Sequence, residues 1–157
     1  MSVPVRRVAR VVVLDERDRV LLFRFRDPGK DRDHHATPGG GLEPGESFED
    51  AAVRELAEEV FLGEIGLGPV LWDRTTELDF LGTWTRAEER YFLLRVDSEH
   101  VAPYDGHLAH ENVVGRAWWT VDDLASTDEQ VWPSGLAALV RDVIERGAPP
   151  EPIPIGP

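Results

Sequence analysis

Two apolar, β-branched runs near the start of the chain are separated by a short charged segment. Residues 8–14 form the first run, residues 15–18 the charged segment and residues 19–26 the second run. Runs of this composition that are bounded by a turn are typical of strands. The second run ends in alternating phenylalanine and arginine, which predicts a strand with one packed face and one polar face.

The following segment is first polar and then periodic. Residues 27–45 are rich in glycine and proline, so we predict a loop. Residues 47–62 carry apolar side chains at helical spacing, which predicts a helix with one buried stripe. Ser47 is a suitable N-cap, with Asp50 three residues later as a loose capping box. The buried stripe consists of Ala52, Leu56 and Val60.

Strand and helix patterns continue through the second half of the chain. Apolar runs at residues 70–72 and 91–96 predict strands, and residues 73–90 between them predict a hairpin or a long loop. The remaining predicted elements are a late strand at 112–119, a short helical turn at 122–124 and an amphipathic helix at 133–146. We predict one domain over residues 1–147 and a loose, proline-rich tail over residues 148–157.

The order of these elements favours an α/β fold of one domain. Strands around a central helix, followed by a closing helix, predict an α/β/α sandwich with a mixed β-sheet, whereas composition alone indicates only mixed α and β. The 157 residues suffice to bury a core, and no apolar run approaches the ~20 residues of a membrane span. The chain starts without the apolar stretch of a signal peptide.

The absence of cysteine excludes several kinds of chemistry. Disulfides, thiolate catalysis and cysteine-based zinc sites all require a residue type that this sequence does not contain. The composition fits a cytoplasmic protein.

The net charge of −13 limits the partners that we expect. Strong acidity argues against a nucleic-acid duplex and against an anionic membrane as a binding surface. An acidic protein that acts on anionic phosphates would need a bound metal or local positive charge. Candidate positive charges lie at Arg24, Arg26, Lys30 and Arg32.

Three carboxylates fall close together on the predicted helix. Glu55, Glu58 and Glu59 stand at i, i+3 and i+4, so they project from one face. Like charges at this spacing repel one another, and burial without compensation would cost several kcal/mol. Oxygen ligands suit a hard divalent cation such as Mg²⁺ or Mn²⁺, whose usual partners in enzymes are substrate phosphates.

These carboxylates belong to a longer pattern. Gly40 is followed after five residues by Glu46, and after seven more by the segment RELAEE at residues 54–59. Six defined positions at fixed offsets seldom coincide by chance. The pattern resembles the box of the Nudix hydrolase family, as in its MutT-like and ADP-ribose pyrophosphatase-like members, over residues 40–62. One position departs, because Phe61 stands where the family has glycine, with Leu62 next.

The resemblance implies roles for the box residues. Glu55, Glu58 and Glu59 take the metal-ligand positions, and Glu58 or Glu59 would also activate water. A carbonyl near the first box glycine, that of Gly39 or Gly40, would be a further metal ligand. Arg54 would orient Glu58 by ion pairing, and Glu46 would be a structural partner of Arg54 rather than a ligand.

Outside the box, the resemblance implies one more glutamate, in a loop before a late strand, as metal ligand or base. Glu111 is our candidate, with Glu88 and Glu89 as competitors. Arg24, Arg26 and Arg32 are candidate phosphate contacts, although an ordinary surface charge is the more common role for each one taken alone. Trp84, in a polar stretch, is the candidate for stacking on a base. We read the histidines His34, His35, His107 and His110 as polar loop residues.

The function implied is metal-dependent hydrolysis of the diphosphate linkage in a nucleoside diphosphate derivative. The alternative is a catalytically silent nucleotide-binding or regulatory module, which would usually have lost box carboxylates. An isomerase of isoprenoid diphosphates would need a cysteine, and a calcium-binding domain would use an Asp-rich loop. Specificity should lie in residues 27–37 and 73–90. We expect a small nucleotide-type substrate, with a homodimer as the default assembly.

Overall fold

A mixed sheet built around the first strand forms the centre of the fold. The structure is a computed structural model that describes residues 2–60 and 63–156. The strands are β1 (Val5–Leu14), β2 (Val20–Phe25), β3 (His34–Ala36), β4 (Gly39–Gly41), β5 (Val70–Phe80), β6 (Thr83–Arg95), β7 (Val113–Trp119), β8 (Gln130–Trp132) and β9 (Ile153–Ile155). The helices are α1 (Phe48–Val60), α2 (Val121–Ser126) and α3 (Leu136–Arg146).

The strand order places β1 at the middle of the sheet. Over the described residues the order is β8-β3-β2-β1-β6-β5-β9, with β4 paired to β1 and β7 paired to β2. β1 runs parallel to β6 along its whole length, from the pair Val5 and Arg86 to the pair Leu14 and Arg95. On its other edge, residues 8–10 of β1 pair with β4, while Leu14 pairs with β2.

Alternation along β1 divides the core into two layers. Ala9, Val11 and Val13 face α1, whereas Val12 and Leu14 face α2 and α3. The layer under α1 also contains Leu21, Phe23, Ala51, Ala52, Leu56, Val60 and Phe92. The opposite layer also contains Leu22, Trp72, Tyr91, Leu124, Leu136, Val140 and Val143. The mixed sheet between helices confirms the predicted α/β/α sandwich.

Helix α1 begins where the sequence predicts it. The Ser47 hydroxyl accepts a hydrogen bond of 3.0 Å from the Asp50 amide, which is the N-cap interaction expected from the residue types. The predicted stripe of Ala52, Leu56 and Val60 is buried. The predicted end of the helix at Leu62, and Phe61 at the usual box glycine, lie outside the described residues.

The predicted loop at residues 27–45 is only partly correct, because it contains two short strands. β3 pairs with β2 and with β8, and β4 pairs with β1. Histidine, alanine and glycine have little strand propensity, so these strands depend on pairing with distant neighbours that local patterns do not reveal. β4 brings the box glycines against β1, and this pairing positions the site described below.

The hairpin and the tail complete the sheet. The hairpin alternative for residues 73–90 is correct, since β5 and β6 are antiparallel and joined at Leu81 and Gly82. The tail is not uniformly loose as we expected, because β9 pairs in parallel with β5 at the sheet edge, where proline is tolerated. Among the described residues, no helix is both long and apolar enough to cross a bilayer.

Candidate active site

The glycine strand β4 lies directly against one flank of α1. The Gly39 amide donates a hydrogen bond of 2.9 Å to Glu59 Oε1. A side-chain carbon at Gly40 would lie 2.7 Å from the carboxylate carbon of Glu55, so a larger residue there would displace that carboxylate. The pairing of β4 with β1 therefore seats Glu55 and Glu59 on a surface of bare backbone.

Gly39 is required for a second reason. Its φ of 141° lies in a region that side-chain-bearing residues rarely adopt. A carbon added there would also overlap the Ala9 carbonyl of the neighbouring strand β1. The close approach of β4 to β1 is thus possible only with glycine at this position.

Arg54 forms hydrogen bonds with several residues of the box. Its guanidinium donates two hydrogen bonds of 2.8 Å to the Glu46 carboxylate and one of 3.0 Å to Glu55 Oε1. It donates another of 3.0 Å to the Gly41 carbonyl. The predicted pairing of Glu46 with Arg54 is present, and it lowers the pKa of Glu46 to about 2. The predicted contact between Arg54 and Glu58 is longer, at 3.6 Å.

The three box carboxylates differ in exposure and in electrostatics. Glu59 is 4% exposed, and burial, together with the charge of Glu55, raises its pKa to about 8. Burial also raises the pKa of Glu55, although Arg54 opposes that effect. The Glu58 side chain remains 59% exposed. The surroundings of Glu55 and Glu59 therefore disfavour their ionised forms, whereas Glu58 is exposed to solvent.

This donor set fits a divalent cation. Mg²⁺ and Mn²⁺ prefer oxygen ligands, and Glu55, Glu58, Glu59 and the backbone carbonyls of β4 supply only oxygen. Burial is the main cause of the raised pKa values of Glu55 and Glu59, and neighbouring carboxylates add to it, so the ionised forms of both lack full compensation. A bound cation would supply that missing compensation.

Glu111 lies near this group. It occupies the short 3-10 helix Ala109–Glu111 before β7, and it is exposed. Its charge contributes to raising the pKa of both Glu55 and Glu59. Asn112 follows in the left-handed conformation, with φ of 66°, and turns the chain into β7. The structure thus brings Glu111 within electrostatic range of the box.

The two competitors of Glu111 are occupied elsewhere. Glu89 is buried and pairs with Arg10 at 3.4 Å and with Arg74 at 2.5 Å. Although burial opposes ionisation, these two arginines lower the pKa of Glu89. Glu88 is paired with Arg7 at 3.4 Å near the surface. Of the three candidates, Glu111 is the one coupled to both Glu55 and Glu59.

Two side chains that we did not single out as site residues contact the backbone of α1. His107 Nε2 lies 3.1 Å from the Glu58 carbonyl, and its Nδ1 lies 2.7 Å from Asp105 Oδ1. Arg116, on β7, donates a hydrogen bond of 3.3 Å to the Glu59 carbonyl. Both contacts tie the Glu111 loop and its strand to the end of α1, and neither has a local sequence signal.

The arginines predicted to bind substrate are not gathered at the box. Arg24 and Arg26 both pair with Asp33, at 2.7 Å and 3.0 Å, and Arg32 donates to the Asp128 carbonyl at 2.6 Å. They line a polar cavity of about 750 Å³ whose other lining residues are Asp31, Asp33, Asp128 and Glu129. Four acids therefore offset these three arginines, which makes the cavity a weak phosphate site.

Trp84 was expected in a loop, but it lies in strand β6, opposite Asp79. Its 58% exposure leaves the ring available. Its stacking role stays a prediction.

A separate acidic group lies on the surface. Asp97, Glu99 and His100 are exposed, and their candidate ligand atoms lie within 4.8 Å of one another. Exposed groups of this kind are common without an ion, so we assign it no role.

Together, the fold and the site define an α/β/α sandwich with a carboxylate cluster of the kind that binds divalent cations. The chain belongs to the Nudix family, because the family model described as the NUDIX domain matches residues 4–140. A relative from Rhodococcus erythropolis, named Uncharacterized Nudix hydrolase orf19, is 27% identical over 103 residues. The match covers 64% of this chain and 54% of that protein, so the chain spans about half the length of this curated relative.

Solved structures share the fold. A MutT protein from Methanosarcina mazei Go1 superposes with a TM-score of 0.68 at 16% identity, over 92% of this chain and 96% of that one. An ADP-ribose pyrophosphatase from Streptococcus suis superposes with a TM-score of 0.60 at 16% identity, over 97% of this chain and 98% of that one. The Ap4A hydrolase of C. elegans superposes with a TM-score of 0.59 at 18% identity, over 90% of this chain and 97% of that one. At these identities the likeness shows the fold alone.

Proposed function

We propose that this chain is a metal-dependent hydrolase that cleaves the diphosphate linkage of a nucleoside diphosphate joined to another moiety. The observation that carries the proposal is the placement of the buried Glu59 and the partly buried Glu55 against the backbone of β4, where both pKa values are raised. Membership of the Nudix family, with every charged box position retained, supports the same conclusion.

The chemistry proposed for the site is substitution at phosphorus. A cation such as Mg²⁺ or Mn²⁺ would neutralise charge on the diphosphate and lower the pKa of a bound water. Glu55, Glu58, Glu59 and the Gly40 carbonyl would hold that cation. The water oxygen forms a bond to phosphorus as the bridging oxygen leaves, so both products carry phosphate.

The protein residues divide the remaining tasks. Glu58, Glu59 or Glu111 accepts the proton of the attacking water, as a positioned carboxylate can in general base catalysis. Arg54 fixes the orientation of Glu55 and constrains Glu58, and the two hydrogen bonds that it donates to Glu46 set its own position. Arg24, Arg26, Arg32 and Trp84 remain candidate substrate contacts, although the acidic partners of the arginines weaken their case.

The substrate class is proposed at the level of nucleotide-type diphosphates. Two of the similar structures are named for ADP-ribose pyrophosphatase and for Ap4A hydrolase, names that differ in substrate but share nucleotide chemistry. The strongly acidic composition supports a small-molecule substrate rather than nucleic acid or a membrane. A cytoplasmic location and homodimer formation are further proposals, from composition and from the usual habit of small enzymes.

The experiment is a substrate panel. The purified protein would be incubated with nucleoside diphosphate derivatives in Mg²⁺, in Mn²⁺ and in EDTA, and the phosphorus-containing products followed by NMR. Cleavage of a panel member in metal but not in EDTA is the expected result. Nucleotide binding without cleavage across the panel would instead support the silent binding module.

A further inference from the structure

Two arginines of β1 lie on the sheet face opposite α1. Arg6 and Arg10 alternate with Arg7 and Ala9, so they share a face with Val12. Both flank the glycine strand, because Arg10 pairs with Gly39 and because a side-chain carbon on Gly41 would lie 3.2 Å from Arg6 Nη2. The two guanidinium groups therefore stand next to β4, across the backbone from Glu55 and Glu59.

This face carries an excess of positive charge. Arg10 and Arg74 both pair with the buried Glu89, at 3.4 Å and 2.5 Å. Arg6 adds a third guanidinium, on which both Glu89 and Glu55 act electrostatically. On this face of the sheet, three guanidinium groups therefore lie beside one buried carboxylate, Glu89, whereas Glu55 and Glu59 lie across β4.

Arg6 is the member of this group without an acceptor. Over the described part of the chain, no hydrogen bond or ion pair engages its guanidinium, which instead stacks on the Phe80 ring at 4.4 Å from the ring centre. The side chain is half-buried, and burial, together with Arg10, lowers its pKa. N–H donors that are partly removed from water and lack an acceptor cost free energy of desolvation. An anionic ligand that accepts hydrogen bonds from this guanidinium would offset that cost.

The space around Arg6 can admit such a ligand. A cavity of about 550 Å³ is lined by Arg6 and Phe80 and by Gly41, Glu43 and Glu46 of the box loop. The two carboxylates in this lining are directed to Arg54, Glu46 at 2.8 Å and Glu43 at 3.7 Å. The cavity therefore adjoins the box and leaves the Arg6 donors available.

We propose that Arg6, stacked on Phe80 and flanked by Arg10, binds an anionic group, a phosphate or a carboxylate, on the part of the substrate that lies outside the box carboxylates. The proposal rests on the proposed function, since it selects among nucleoside diphosphate derivatives those whose second moiety is itself anionic. The guanidinium fork suits paired oxygens of either group.

The test measures anion binding without catalysis. The full-length chain in EDTA would be titrated separately with inorganic phosphate and with malonate, while the backbone amides near Gly41 and Phe80 are followed by NMR. We expect Arg6→Gln to weaken binding about tenfold, equivalent to about 1.4 kcal/mol. We expect Arg6→Lys to restore part of the affinity, and the matched control Arg95→Gln, whose surface pair is with Asp18, to leave it unchanged.

The outcomes separate the two anions and the two proposals. Arg6-dependent binding of phosphate assigns a phosphoryl group, and Arg6-dependent binding of malonate assigns a carboxylate. Binding that is absent in the wild-type chain, or equal in wild type and Arg6→Gln, overturns the subsite even if the substrate panel shows hydrolysis. Arg6-dependent binding in a chain that cleaves nothing retains the subsite and refutes the hydrolase.

A kinetic comparison then tests specificity. For an active chain, Arg6→Gln should lower kcat/KM about tenfold more for a derivative with an anionic second moiety than for one with a neutral moiety. An equal loss for the two substrates would overturn the specificity role.

Discussion

Replacement of Glu59 by glutamine removes a charge that the fold holds in an unfavourable place. Glu59 is 4% exposed, and burial and then Glu55 raise its pKa to about 8. Glutamine keeps the size of the side chain and an oxygen that can still accept the Gly39 hydrogen bond. We therefore expect metal-free Glu59→Gln to gain stability relative to metal-free wild type as the pH rises.

The size of the effect follows from proton linkage. Between pH 4.5 and about 8 the folded chain keeps a proton on Glu59 that the unfolded chain has lost, so unfolding releases a proton. The free energy of unfolding of the wild type therefore falls with rising pH across this window. At about 1.36 kcal/mol per pKa unit, the loss is on the order of 3 kcal/mol by pH 7 and 5 kcal/mol above pH 8.

Urea unfolding in EDTA at about pH 5, 7 and 9 measures this loss. The difference between wild type and Glu59→Gln cancels the titrating groups that do not interact with Glu59, and we expect it to grow in favour of the variant. Saturating Mg²⁺ should stabilise the wild type more than the variant, because the cation binds the ionised carboxylate. A difference that does not change with pH, or that grows in favour of wild type, would refute the electrostatic reasoning.

Three further predictions test the parts of the site around Glu59. Gly40→Ala places a methyl group where the flexible end of the Glu55 side chain lies, so that carboxylate has to move. We expect turnover in a product assay to fall by about tenfold or more, while the free energy of unfolding from urea titration changes little. Arg54→Gln should weaken Mg²⁺ binding, measured calorimetrically, more than Glu46→Gln does, because Arg54 also contacts Glu55 and Glu58, which we propose as metal ligands. Glu111→Gln should reduce turnover about tenfold or more without changing the melting temperature, whereas the exposed control Glu99→Gln should leave both unchanged.

The box helix could be predicted because its information is local. Ser47 caps it, Leu56 lies on its buried stripe, and Glu55 and Glu59 fall one turn apart within a few residues of sequence. The fixed offset between Gly40 and the helix residues is part of the box pattern. Helical periodicity and this offset are therefore enough to predict that these residues form one site.

The partners of the charged side chains could not be predicted in the same way. The pairing of Arg24 with Asp33 depends on how β3 folds back onto β2, and Glu89 meets Arg10 across 79 residues of sequence. The residue types do not distinguish Arg6, which stacks on Phe80, from Arg7, which pairs with Glu88. Long-range strand pairing decides these environments, and it also turned part of the expected loose tail into β9.

Turnover of Glu58→Gln on the panel member that the wild type cleaves best is the most direct test of the carboxylate site. Glu58 is exposed, so its replacement should leave the melting temperature unchanged. Glu49→Gln, an exposed change in the first turn of the same helix, is the matched control. We expect Glu58→Gln to lose about 10²-fold or more in kcat while Glu49→Gln stays near wild type. Near-normal turnover in Glu58→Gln would contradict the assignment of the box carboxylates to metal binding and catalysis.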